Sequence, residues 1–146
     1  MSRAAELFAA ADALLLDFDG PVAPLIPIPA NLEVANAARA PMLARGVALG
    51  DRIGATSDHL AVPCWVPIDL PAALPEVEAA CDRAEAAAAS TVVPTHGAHD
   101  LSARCHQIGK PVLIVSNTAA AAICYLERRL LAAYIVGVIG RLAGRP

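Results

Sequence analysis

The sequence is short of lysine, of aromatic side chains and of paired cysteines. Lys110 is its one lysine; the other basic residues are all arginine. The net charge of −3 at pH 7 leaves no basic field to attract a nucleic-acid backbone, so that class of partner is excluded. The skew towards Arg, Ala and Pro fits the coding bias of a GC-rich bacterium rather than a binding surface. Phe, Tyr and Trp make up 3% of a chain that is 57% hydrophobic, so the apolar mass comes from Ala, Leu, Val and Ile. Cys64, Cys81, Cys105 and Cys124 form no CxxC pair. This argues against a disulfide framework or a thiolate zinc site and for reduced thiols in a cytosolic chain.

Long apolar runs are missing too. Glu6 and Asp12 interrupt the N-terminal apolar residues and spoil a signal-peptide core. The most apolar late run, 130-LLAAYIVGVIG-140, is about half the length that spans a bilayer. A cytoplasmic location without a membrane partner is the expectation. No GxGxxG or GxxxxGK[ST] occurs, so dinucleotide and nucleoside-triphosphate sites have no motif support.

What is present is enough chain, 146 residues, for one domain with a core of its own. The mean hydropathy of +0.54 is high for a soluble protein and points to apolar surface that something else covers. Residues 3–12 read as a short helix leading into a strand over Ala13–Phe18. Prolines 21, 24, 27 and 29 then forbid a regular helix or central strand, marking a linker between layers. Two Ala-rich helical blocks follow, 31–49, divided at Pro41, and 75–90, with Pro75 in its first turn. A helix over 99–109 closes on Gly109, 111-PVLIVSN-117 is a buried strand, a helix spans 118–131, and 134–140 is a third strand. Strand, long excursion, strand, helix, strand is the pattern of a parallel α/β sheet. The excursion over residues 25–92 is too long for a plain loop and reads as a helical insert.

The stretch 13-ALLLDFDGPVAP-24 carries the chemistry. It ends a strand with Asp17 and Asp19, and carboxylates are costly in a core unless paired or bound to metal. Ligands of open α/β sheets bind at the carboxyl ends of the strands, where Asp17, Asp19 and Ser116 fall. One carboxylate there can attack phosphorus, and a second can protonate the leaving oxygen and later deprotonate water. Magnesium takes oxygen ligands and needs only one or two carboxylates. Gly20 lets the backbone turn sharply and approach a substrate.

The motif 17-DFDGPV-22 resembles the nucleophile motif of the haloacid dehalogenase-like (HAD) hydrolases, and 112-VLIVSN-117 resembles their second motif. The segment over residues 110–141 is similar to actinobacterial phosphatase-like members. The resemblance implies an α/β, HAD-like Rossmannoid parallel sheet, with three strands present and later strands missing. Residues 1–24 and 93–146 would form this core and residues 25–92 an inserted α-helical cap. It also implies Mg2+-dependent phosphoryl transfer on a small phosphorylated substrate. Asp17 would be nucleophile and metal ligand. Asp19 would be acid/base and would lend its carbonyl to the metal, while Ser116, with Asn117 and Gly20 beside it, would hold the phosphoryl group.

The family's third motif, a lysine, and its fourth, an acidic cluster, have no counterpart here. Lys110 precedes the second strand, and Glu127, the only carboxylate after Asp100, falls inside a helix. The chain stops at 144-GRP-146, about where a longer relative would continue into the lysine motif. Three consequences are expected. Magnesium coordination would be one-sided, catalysis impaired, and the first strand left as an apolar edge through which the chain pairs with itself or another protein, or which leaves it only marginally stable. A catalytically impaired relative acting as a binding or oligomerising module is therefore the rival function. Arg141 and Arg145 are candidate replacements for the lysine, and Asp51 and Asp58 for the missing acids, each with a plainer reading as tail, loop or cap residue. His96, His99 and His106 near Cys105 suggest zinc, but loop and cap roles are the commoner outcome. Trp65 reads as a core or interface anchor of the insert, with a substrate platform as the less common alternative.

Overall fold

The computed structural model describes residues 2–140. Ser2 caps the first helix, α1 (Arg3–Ala10), its Oγ accepting the Ala5 N–H at 3.3 Å. The apolar run that follows forms β1 (Leu14–Asp17). After the proline passage come α2 (Ala30–Ala44), α3 (Asp51–Gly54), α4 (Ala61–Asp69) and, beyond a 3-10 turn over Pro71–Ala73, α5 (Leu74–Thr91). The chain then runs through α6 (Ala98–Gln107), β2 (Val112–Ser116), α7 (Ala119–Arg128) and β3 (Gly137–Gly140). The architecture is α/β, with three parallel strands in the order β1-β2-β3 and a helical excursion between the first two.

The register fixes which residues share a rim. Asp17 lies beside Val115, Val115 beside Ile139, and Ser116 beside Gly140. Because all strands run the same way, Asp17, Ser116 and Gly140 collect at one end of the sheet. Among the described residues β1 pairs only with β2, so its other side is an unpaired edge.

Two apolar cores form. In the first, Leu16, Ile114 and Val138, on one face of the sheet, meet Phe18, Ala121, Tyr125 and Ala89. The second lies inside the excursion, where Ala35, Ala38 and Met42 of α2 meet Val62, Val66, Val77 and Cys81. Helix α5 serves both, with Val77 and Cys81 in the second core and Ala89 in the first. Small alanines at 89, 121 and 122 let α5 and α7 pack closely under the sheet.

Several local readings change. Pro41 does not divide its block; α2 runs through it to Ala44. Burial of Ala38 and Met42 on either side of the proline holds the last turn together despite its missing N–H. Helix α4 lies outside the two Ala-rich blocks, within the excursion read as a helical insert. Pro63 sits in its first turn, where an N–H has no intrahelical partner to lose, and Pro67 is carried by the buried Val62 and Val66. The third strand begins only at Gly137, because a 3-10 turn occupies Ala132–Tyr134. Helix α6 does end as expected, with Gly109 at φ +69° and the Lys110 N–H reaching back to the Cys105 carbonyl at 2.9 Å.

Candidate active site

Asp17 is the last residue of β1, and its side chain is exposed. The chain then folds into a tight loop. Val22 and Ala23 N–H groups both donate to the Phe18 carbonyl at 3.1 Å, and the Gly20 N–H donates to the Ala23 carbonyl at 3.0 Å. Gly20 has φ +95°, a conformation that costs other residues strain, and space beside it is open. From the returning chain, the Thr95 hydroxyl donates to the Gly20 carbonyl at 2.5 Å and the Thr95 N–H to the Val22 carbonyl at 3.0 Å. Asp19 is half-buried, and its Oδ1 accepts the Leu25 N–H at 2.8 Å. The DFDG loop is thus tied at both ends of the helical excursion.

On the neighbouring strand Ser116 is buried, and its Oγ accepts the Thr118 N–H at 3.1 Å and lies 2.9 Å from the Thr118 hydroxyl. This serine oxygen therefore closes the turn from β2 into α7. Gly140 lies alongside it, and a Cβ there would stand 2.0 Å from the Ala119 Cβ and 3.2 Å from the Ser116 carbonyl oxygen. Only glycine fits this corner.

Asp17, Ser116, Asn117 and Gly140 line one open cavity of about 600 Å³, with Leu15, Val115 and Ile139 on its floor. The structure thus brings three of the five site candidates into one space. Asp19 and Gly20 are not part of its lining; they hold the loop beside it. Sequence reasoning missed Thr118, Thr95 and Gly140, the residues that hold the site in shape.

Beneath the loop, Phe18 stacks edge-on against Tyr125, ring centroids 5.3 Å apart. Tyr125 is buried and shares a hydrogen bond of 2.7 Å with His99 Nε2. Burial raises the Tyr125 pKa, and Arg129 partly opposes this. Burial and then Arg129 lower the His99 pKa, with Asp100 acting the other way.

The remaining candidates lie elsewhere. Lys110 donates from Nζ to the Ala11 carbonyl and sits 5.1 Å over the Phe8 ring, ahead of β2 at the opposite rim. Asp58 accepts the Leu60 N–H at 3.0 Å and Asp51 opens α3. Trp65 packs on the second core with Arg52 4.8 Å above its ring. All four cysteines are free thiols. Arg141 and Arg145 lie outside the described residues. Among the described residues no three His, Cys, Asp or Glu side chains gather around a common point, and no helix is long and apolar enough to cross a membrane.

No family model and no curated protein matches the chain. Among solved structures it is similar to a hydrolase from Streptococcus pneumoniae TIGR4, with 18% sequence identity, 92% of this chain and 69% of that chain covered, and a TM-score of 0.45.

Proposed function

We propose that the protein is an HAD-like phosphohydrolase that transfers a phosphoryl group from a small phosphomonoester to Asp17. The observation that carries this reading is the meeting of Asp17 and Ser116 at the carboxyl ends of adjacent parallel strands, in one cavity. An exposed carboxylate at a strand end can reach phosphorus, and the Ser116 hydroxyl can donate to a phosphoryl oxygen.

In this reading an Asp17 oxygen forms a bond to phosphorus as the ester P–O bond breaks. Asp19 gives a proton to the departing alkoxide oxygen, leaving an aspartyl phosphate and a free alcohol. Asp19 then takes a proton from water, whose oxygen attacks phosphorus, and Asp17 departs as carboxylate with release of phosphate. The tie from Leu25 N–H to Asp19 Oδ1 orients that carboxyl group and leaves its other oxygen for proton transfer.

The Asp17 carboxylate and the Asp19 carbonyl supply oxygen donors of the kind Mg2+ prefers, on an open site that suits a cation keeping several waters. Bound there, Mg2+ would offset phosphate charge. With no third carboxylate gathered among the described residues, such binding would be weak and turnover slow.

The deciding experiment compares wild type with Asp17→Asn in hydrolysis of an aryl phosphate with and without magnesium. Metal-dependent activity that Asp17→Asn abolishes supports the reading; activity that survives the change overturns it. Among the described residues the Leu14–Asp17 edge is unpaired, which favours a second reading, a non-catalytic module that pairs with another copy. No activity in either protein, together with a defined oligomer in light scattering, would select it.

A further inference from the structure

Gly20 is the pivot of the DFDG loop. With φ at +95° and no side chain to pack, it is held by its hydrogen bonds. Its N–H donates to the Ala23 carbonyl at 3.0 Å. A peptide unit is planar and trans, so this bond also turns the Asp19 carbonyl away from Ala23.

The carbonyl of Gly20 finds its donor far along the chain. Inside the loop the Val22 and Ala23 N–H groups both serve the Phe18 carbonyl, and Pro21 and Pro24 carry no N–H at all. The Thr95 hydroxyl fills this need at 2.5 Å. Thr95 is itself fixed by two backbone bonds. Its N–H donates to the Val22 carbonyl at 3.0 Å, and its carbonyl accepts the Ala98 N–H at 3.1 Å where α6 begins. The Leu25 N–H holds the Asp19 side chain, and Thr95 holds the backbone from which that side chain springs.

Resting on the phosphohydrolase reading above, we propose that Thr95 is a positioning residue: acting through Gly20, its hydroxyl keeps the Asp19 carbonyl and carboxyl group in place beside Asp17. It touches neither substrate nor metal. Water can satisfy the Gly20 carbonyl once the hydroxyl is gone, but water does not fix its direction, so the loss falls on placement.

The test compares initial rates of aryl phosphate hydrolysis in magnesium with Mn2+ binding, read from the paramagnetic resonance of the free ion. Mn2+ stands in for Mg2+ because both take octahedral oxygen ligands. Thr95→Val keeps the branched shape and the N–H and loses the hydroxyl. Its kcat should fall about tenfold with KM within about twofold of wild type, and Mn2+ should bind about threefold more weakly. Thr95→Ser restores the hydroxyl and should restore both readings. In an Asp19→Asn chain, Thr95→Val should lower kcat by less than about twofold further, whereas independent roles would multiply. Thr95→Ala serves if Thr95→Val does not fold. An active wild type with rates and Mn2+ binding unchanged in Thr95→Val overturns this inference alone. So does a serine that restores nothing, or losses that multiply with Asp19→Asn. A wild type without magnesium-dependent hydrolysis overturns the phosphohydrolase reading and the inference with it.

Discussion

The Leu25 N–H donates to Asp19 Oδ1 at 2.8 Å, so the second carboxylate of the DFDG loop is fastened to the first residues of the helical excursion. Leu25 is itself buried in the first core. The bond couples the placement of the proposed proton-transfer group to the packing of the linker, which gives Asp19 a structural role separable from the proposed chemical one.

The two roles part in a pair of variants. Asp19→Asn keeps an oxygen that accepts the Leu25 N–H, so its melting temperature should stay near wild type. Asp19→Ala leaves that N–H without its partner and should cost about 1 kcal/mol, the usual scale for such a bond. Hydrolysis of an aryl phosphate should fall in both by roughly a hundredfold or more, the contribution typical of a positioned acid/base group. Thermal melts and initial rates read the two effects side by side.

The corner between β2, β3 and α7 gives a sharper expectation. Gly140→Ala places a Cβ 2.0 Å from that of Ala119, and overpacking of this kind costs about 1–3 kcal/mol. Ala119→Gly in the same chain removes the opposing carbon and should recover part of the loss, less about 1 kcal/mol for glycine in a helix. Urea denaturation of the two single variants and the double variant checks this. An unshifted midpoint in Gly140→Ala would show that the corner opens freely.

The frame of the fold was readable because its signals are local. A β-branched run makes β2, and an apolar run ending in charge makes β1. Gly109 stops α6 where a residue with positive φ is needed. Helix α4 was not readable, since prolines 63, 67 and 71 look like breakers while the burial of Val62 and Val66 that sustains it is tertiary. The same division runs through the site. Asp17, Ser116 and Asn117 announce themselves by standing at strand ends. The partners that shape them do not, because the Thr95 hydroxyl reaches the Gly20 carbonyl across 75 residues of sequence. Nor does sequence reveal the Leu25 N–H, a group every residue but proline carries. The contact of Gly140 with Ala119 depends on two elements meeting and shows in sequence only as two small residues.

Leu130 marks a place where the sequence departs from what its backbone asks. It follows α7 with φ +57° and is 83% exposed, while the Leu131 N–H closes the helix end on the Leu126 carbonyl at 2.9 Å. An L-residue in this conformation is strained by about 1–2 kcal/mol, and glycine is the usual occupant. Leu130→Gly should therefore raise stability by up to about 1 kcal/mol after glycine's entropic cost, or about 3 °C in melting temperature for a chain of this size. Calorimetry would detect it, and a fall in melting temperature would show that Leu130 makes contacts worth more than the strain.

The His99–Tyr125 pair under the DFDG loop predicts a pH dependence of definite sign. Burial first and Arg129 second hold the His99 pKa below its ordinary 6.5. Between the folded value and 6.5 the unfolded chain therefore binds more protons than the native one, and stability rises with pH across that window. The contribution is complete above about pH 6.5 and is lost as the pH falls through it. His99→Gln removes the titrating group while keeping a side chain that can bond the Tyr125 hydroxyl. The variant should be the less stable protein at pH 7.5, yet lose less on transfer to pH 5.5, so that the two melting curves converge in acid. Equal losses in both proteins would place the acid sensitivity elsewhere.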